Sequence, residues 1–252
     1  MKLGAFIATA GKIGAAIALT QAAVAGAAEI RVLCSTGMSS VMSVLVPEFE
    51  RTSGHKLSIA YDTANLLMGR IKGGEAADLA ILTGPAMDEL LKQGKVAGRT
   101  DLARSGVGIS VRSGAPKPDI GSVEALKRAL LDAKSVAYTT TGASGVYFAG
   151  LIERLGIAEQ VKAKAKLRPG GAVGELVAKG EAEMAVQQIP ELMSVAGTDL
   201  VGPLPPEVQY VTVFSAGVLA GAKEGAAAQA LVNFLSTPAA ARVLKAKGME
   251  PG

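Results

Sequence analysis

The sequence predicts an α/β protein built as two doubly wound lobes joined by two crossover strands. Strand-like and helix-like patterns alternate after about residue 28. The first three strand-to-helix handovers all carry hydroxyls: Ser35 and Thr36, then Thr63, then Thr83. The same device returns later, in Thr139-Thr140-Thr141-Gly142-Ala143-Ser144-Gly145. Repeated strand–polar turn–helix units build a parallel sheet with helices on its faces. Such sheets bind ligands outside the carboxyl ends of their strands. A length of 252 residues suffices for two small lobes.

Taken in order, residues 30–34 form the first strand. Residues 39–51 form a helix ended by Thr52-Ser53-Gly54, with Gly54 suited to a left-handed C-cap. Residues 57–61 alternate large and small side chains, as a strand does. Asp62-Thr63 caps a helix over 65–72, which Gly73-Gly74 stops. Residues 78–82 are a buried strand, and Thr83-Gly84-Pro85 opens a helix over 86–93. A strand at 107–111 follows, then a helix from the Ser122 cap to about 133. A short strand at 136–138 ends in the hydroxyl-rich loop, which leads to a helix over 146–155. Another helix closes at 176–180. Residues 184–186 are a strand that Gln187-Gln188 terminate, and 209–219 are apolar and β-branched. Helices over 226–235 and 239–247 end the chain. Gly202-Pro203-Leu204-Pro205-Pro206 reads as a surface connection. The natural crossovers are the strands at 105–112 and 209–220. They divide the chain into a first lobe of 29–106 plus 214–252 and a second lobe of 107–213.

The first 28 residues have a different character. Lys2 gives a positive start, residues 13–19 form an apolar stretch, and Ala23-Val24-Ala25 and Ala25-Gly26-Ala27 fit small-x-small cleavage. This is the pattern of a secretory leader, removed near residues 25–28 on export to the periplasm. The alternative is an amphipathic start of the first lobe. Without Lys2 and Lys12, 24 basic residues stand against 22 acidic ones. No Lys/Arg block appears, which argues against nucleic acid as a partner. No later segment reaches about 18 uninterrupted apolar residues, the length a membrane span needs. Cys34 is the sole cysteine, so neither an internal disulfide nor a thiolate metal cluster is expected; it reads as a small apolar residue at a strand end.

The order of these elements resembles the molybdate-binding branch of the bacterial periplasmic solute-binding proteins. The likeness rests on Phe49-Glu50, Ser53-Gly54, Asp62-Thr63-Ala64-Asn65 and Gly74-Glu75-Ala76-Ala77-Asp78, on Gly180-Glu181-Ala182-Glu183, and on the closing FLSTPAAARVLKAKGM. It spans essentially the whole chain after the leader. It implies the type 2 periplasmic binding fold, a monomer that clamps a small anion between its lobes, and membrane subunits of an ABC transporter as partners. The residues themselves show no metal cluster, phosphate loop or dinucleotide fingerprint, so neither a metal nor a cofactor is expected. The family's ligand turns fall on Ser35-Thr36-Gly37, Thr63-Ala64-Asn65 and Gly142-Ala143-Ser144-Gly145. Its Val-Tyr pair falls on Gln187-Gln188, so the tyrosine of the oxyanion binders is missing.

The candidate ligand residues are therefore Ser35, Thr36, Gly37, Thr63, Asn65, Thr83, Ala143, Ser144, Gly145, Gln187 and Gln188, with Arg168 as a carboxylate partner. Helix N-termini offer free N–H groups and partial positive charge, which suit an anion without any lysine. Amides add acceptors that a bare oxyanion does not need, so a small organic carboxylate is favoured over molybdate. Ser35, Thr63 and Ser144 have a plainer reading as helix caps. The single histidine, His55, lies in a turn away from the cleft, is expected to be exposed, and allows no Ser-His-Asp set. Proton transfer needs no histidine, however. Some exported proteins resembling this branch are aconitate isomerases. That reading makes Asp62, Tyr61, Glu191 or Tyr147 the possible acid/base group, without choosing among them.

Overall fold

The computed structural model describes residues 26–252, so the leader assigned to 1–28 lies outside the described residues except for its last three. The first lobe begins β1 (Glu29–Ser35), a 3-10 turn at Thr36–Met38, α1 (Ser39–Ser53), β2 (Lys56–Asp62), α2 (Ala64–Lys72), β3 (Leu79–Thr83) and α3 (Gly84–Lys92). β4 (Thr100–Arg112) leads into the second lobe, which holds α4 (Val123–Asp132), β5 (Val136–Thr139), α5 (Ala143–Arg154), α6 (Ala158–Lys162), β6 (Ala165–Arg168), α7 (Gly174–Ala178), β7 (Met184–Gln188), α8 (Ile189–Met193) and β8 (Thr198–Pro203). β9 (Val211–Val218), α9 (Gly225–Leu235), α10 (Pro238–Ala246) and β10 (Glu250–Pro251) complete the chain.

β1 pairs in parallel with β2 and β3, and β5 in parallel with β6 and β7. The two lobes thus repeat one arrangement, β2-β1-β3 and β6-β5-β7. β4 links them: residues 100–106 pair with β9, and residues 107–111 pair antiparallel with β7. The chain returns through 204–210 into β9, which lies antiparallel between β3 and β4.

Side-chain alternation explains why each sheet is covered on both faces. Ile30, Val32 and Cys34 face α1, α9 and α10 in one cluster with Leu45, Phe49, Leu231 and Leu244. Leu33, Ala80 and Leu82 point the other way, onto Leu67, Ile71, Met87 and Leu90 of α2 and α3. In the second lobe Val136, Tyr138 and Val186 meet Leu126, Phe148 and Leu151, while Ala137 and Ala185 meet Val173 and Val177.

Several local expectations change. β4 has 13 residues rather than five, because its halves serve different sheets and carry different patterns. β6 and β8 had no legible signal; both are short or half-buried strands with mixed polarity. Gly202 and Pro203 end β8, and Leu204 and Pro205 are buried, so this segment is not a plain surface connection. α5 starts at Ala143, which moves Ser144 and Gly145 from the turn into the first helical turn. His55 is half-buried, its Nδ1 accepting from the Ala28 N–H at 3.1 Å.

Candidate functional site

A cavity of about 50 Å³, room for a few waters, lies where the parallel strands of both lobes end. β1 brings Ser35 to it, β3 Thr83, β5 Thr139, and β7 both Gln187 and Gln188. Thr36 and Gly37 follow β1, Thr63 and Asn65 open α2, and Ala143 and Ser144 open α5; all of these also line the cavity. Gly37 must be glycine here, since a Cβ would sit 2.4 Å from Cζ of Phe214, which forms a wall.

Among the described residues no Lys, Arg or His lines the cavity. Positive potential comes from the first turns of α2, α3 and α5, whose N–H groups have no intrahelical partner. The residues before these helices leave those groups free. Thr63, Thr83 and Gly142 make no side-chain capping bond, and neither does Ser35 before the 3-10 turn. Of the helices away from the cavity, α4 and α10 carry the usual cap, Ser122 accepting from Ala125 N at 3.2 Å and Thr237 from Ala240 N at 3.3 Å, whereas α6 and α9 do not.

Two lining hydroxyls have no partner among the described residues. Ser35 Oγ and Thr139 Oγ1 are buried, at 3 % and 2 % residue exposure, and unbonded. Buried polar atoms are nearly always paired, so these two ask for a partner in the cavity. Ser40 and Ser110 share the lack of a partner but do not line it.

The lobes touch at the rim. Thr63 Oγ1 is 3.3 Å from Thr141 Oγ1, and Asn65 Nδ2 donates to the Thr141 carbonyl at 3.3 Å. Thr141 is held in turn by the Pro169 carbonyl, at 2.5 Å.

Gln187 and Gln188 line the cavity, but their amides are engaged by protein groups. Gln187 Oε1 accepts from Val173 N at 3.1 Å, and its Nε2 donates to the Gly171 carbonyl at 2.8 Å and to Glu191 Oε1 at 3.0 Å. The Gln188 amide lies 2.6 Å from Thr212 Oγ1. With its oxygen on that side, Nε2 donates to Ser105 Oγ at 2.9 Å. Gln188 therefore ties the cavity to both crossover segments.

Glu191, on α8, is the sole titratable side chain lining the cavity among the described residues. Burial pushes its carboxyl up to about 7, against the opposing pull of the Thr36 hydroxyl, the Gln188 backbone N–H and the Gln187 amide.

Two expected site residues stand elsewhere. Arg168 does not line the cavity; its Nη1 donates to Glu175 Oε2 at 3.2 Å and to the Ala172 carbonyl at 3.4 Å, because β6 ends one strand farther out. Gly145 is packed behind the wall, where a Cβ would lie 1.8 Å from the Thr139 carbonyl oxygen. Of the four acid/base candidates only Glu191 reaches the cavity. Tyr147 donates to the Val208 carbonyl at 2.7 Å and stacks on Tyr210, Tyr61 is 40 % exposed, and Asp62 accepts from Thr63 N at 2.8 Å. Thr139, Thr141, Gly171 and Phe214 also line the cavity and are not among the candidate ligand residues. The first two lie in the hydroxyl-rich turn and were findable there. Phe214 sits in an ordinary apolar strand and gives no signal. Among the described residues no group of three His, Cys, Asp or Glu is placed to hold a metal, and none of their helices is long and apolar enough to cross a membrane.

A family model described as bacterial extracellular solute-binding protein matches residues 30–250. The chain is 36% identical over 230 residues to an aconitate isomerase from a Pseudomonas species, covering 88% of this chain and 87% of that one. It is 28% identical over 240 residues to the molybdate-binding protein ModA of Azotobacter vinelandii, covering 90% and 92%. The solved periplasmic molybdate-binding protein of Azotobacter vinelandii superposes with a TM-score of 0.75 at 16% identity, over 87% of this chain and 98% of that one.

Proposed function

We propose a reaction for this chain, which belongs to the bacterial extracellular solute-binding protein family: it clamps a small organic polycarboxylate between its lobes and moves one proton within it, as an aconitate isomerase does. The single observation that carries this reading is the place of Glu191. A cavity whose donors are helix N-termini and orphaned hydroxyls suits an anion. A carboxyl among those donors, poised near neutral pH, serves no purpose for a bare oxyanion but can exchange protons. The likeness to a protein named aconitate isomerase supports the same substrate class.

In the proposed step Glu191 takes a proton from the methylene carbon of cis-aconitate. The C–H electron pair spreads over the allylic carbons into an adjacent carboxylate, whose growing charge faces the free N–H groups of the first helical turns. Glu191 then returns the proton to the far allylic carbon, and the double bond has moved into the trans isomer. One C–H bond breaks and one forms, with no net oxidation. The guest's carboxylates accept from Ser35 and Thr139, which have no other partner. We further propose action in the periplasm, with residues 1–28 as the leader.

Purified protein incubated with cis-aconitate should yield the trans isomer by proton NMR, and Glu191→Gln should bind aconitate yet lose at least about a hundredfold in turnover. A second reading, capture of the same anion for an ABC transporter without chemistry, is favoured by the family itself. It prevails if the wild type binds aconitate and turns none over. Thermal stabilisation by molybdate alone would sink the carboxylate.

A further inference from the structure

We infer that Gln187 is a positioning residue that fixes which oxygen of Glu191 carries the shuttled proton. The inference rests on the proposed proton transfer and names a cavity-lining residue whose amide is engaged by protein groups. Gln187 is buried at 2 % exposure and its amide cannot turn around: the Val173 N–H requires an acceptor, which sets Oε1, and the Gly171 carbonyl requires a donor, which sets Nε2. The amide therefore always presents an N–H to Glu191 Oε1. An oxygen that accepts there has no room for a proton of its own on that side. This bond disfavours the acidic proton on Oε1 relative to Oε2, so one atom, Oε2, is placed to take the proton from carbon and to give it back. A single exchanging atom suits a transfer between two carbons of one bound guest.

The same bond favours the ionised carboxylate and holds its proton affinity down against burial. No charged side chain shares this task. The elements packed against α8 are β4, β7, β8, α1, the 3-10 turn and the turn at Gly248 after α10, where Lys245 is exposed and Lys247 half-buried. At this carboxyl they supply the Thr36 hydroxyl, the Gln187 amide and the Gln188 N–H. The charges they carry are turned elsewhere: Asp101 to Arg99, Asp199 to Ser113, and Glu50 to Lys56, while Arg51, Arg104 and Arg112 are exposed and Glu48 is half-buried on α1.

The test uses Gln187→Leu, which removes the donor, and Gln187→Glu, which keeps an acceptor for Val173 N and sets a second carboxyl beside Glu191. Two readouts are taken: the pH dependence of kcat with cis-aconitate, and an infrared titration of the unliganded protein, with Glu191→Gln identifying the band. Both variants should move the acid limb of kcat, and the Glu191 carboxyl titration, upward by about one pH unit or more, with KM changed less than about threefold. An unmoved titration in both variants, or a tenfold rise in KM with the profile in place, overturns the inference. If the wild type turns over no aconitate, the proposed reaction fails, yet the infrared titration still decides whether Gln187 governs Glu191.

Discussion

At the scale of single residues, the site is marked by groups that the folded chain leaves unsettled. Glu191 carries a cost in the unliganded protein. Its carboxyl ordinarily titrates at 4.5 and here at about 7. Below pH 4.5 it is protonated whether folded or unfolded, and no penalty arises. Between about 4.5 and 7 the unfolded chain ionises first, so stability falls as pH rises, by at most about 3.5 kcal/mol at about 1.4 kcal/mol per unit. Glu191→Gln should therefore raise the melting temperature at pH 8 and leave it unchanged at pH 4, as calorimetry at the two pH values would reveal. The orphaned hydroxyls behave in the same sense. Ser35→Ala and Thr139→Val remove buried oxygens that bond to nothing in the free protein. Each should hold or raise urea stability, by up to about 1 kcal/mol, yet weaken aconitate binding roughly five- to thirtyfold by isothermal titration.

At the scale of elements, two kinds of helix start share one chain. α4 and α10 are closed by their own caps, Ser122 and Thr237, and Ser122→Ala should cost about 1 kcal/mol in urea unfolding. α2 and α3 follow threonines that do not cap, so Thr63→Val and Thr83→Val should cost far less and register in ligand affinity instead. Equal losses at all three positions would return these threonines to a purely structural role. α5 depends on close packing at its start. Gly145→Ala would drive a Cβ into the Thr139 carbonyl, and about 3 kcal/mol of destabilisation is expected from chemical denaturation.

At the scale of the molecule, the lobes meet at the rim of the cavity and where α8 packs against α1 and the 3-10 turn. Thr141 touches Thr63 and Asn65 across the rim, each at 3.3 Å. A cavity of about 50 Å³ admits a tricarboxylate only if this rim parts and closes again. Asn65→Ala should shift the balance toward the open form by at most roughly fivefold. Small-angle scattering should then give a larger radius of gyration than wild type without ligand and the same value with saturating aconitate. An identical radius in both states would mean that the rim bonds contribute nothing to closure.

The order of strands, the hydroxyl-bearing turns and the glycine stops were legible in the sequence because they are local. Side-chain period, caps and breakers act within a few residues, and Gly54 in its left-handed cap shows how far such signals reach. By that route the chain itself determined two doubly wound lobes and a crevice edged by Ser35, Thr63, Thr83 and Ser144. Only the tertiary structure decided which of its groups are free to act. Gln187 and Gln188 looked available, yet distant backbone and side-chain partners at Val173, Gly171 and Thr212 occupy them. Arg168 looked like a ligand partner and is spent on Glu175. Glu191 was one carboxyl among several candidates until burial and three donors set it apart. Availability and proton affinity depend on neighbours far away along the chain, and local pattern carries no record of them.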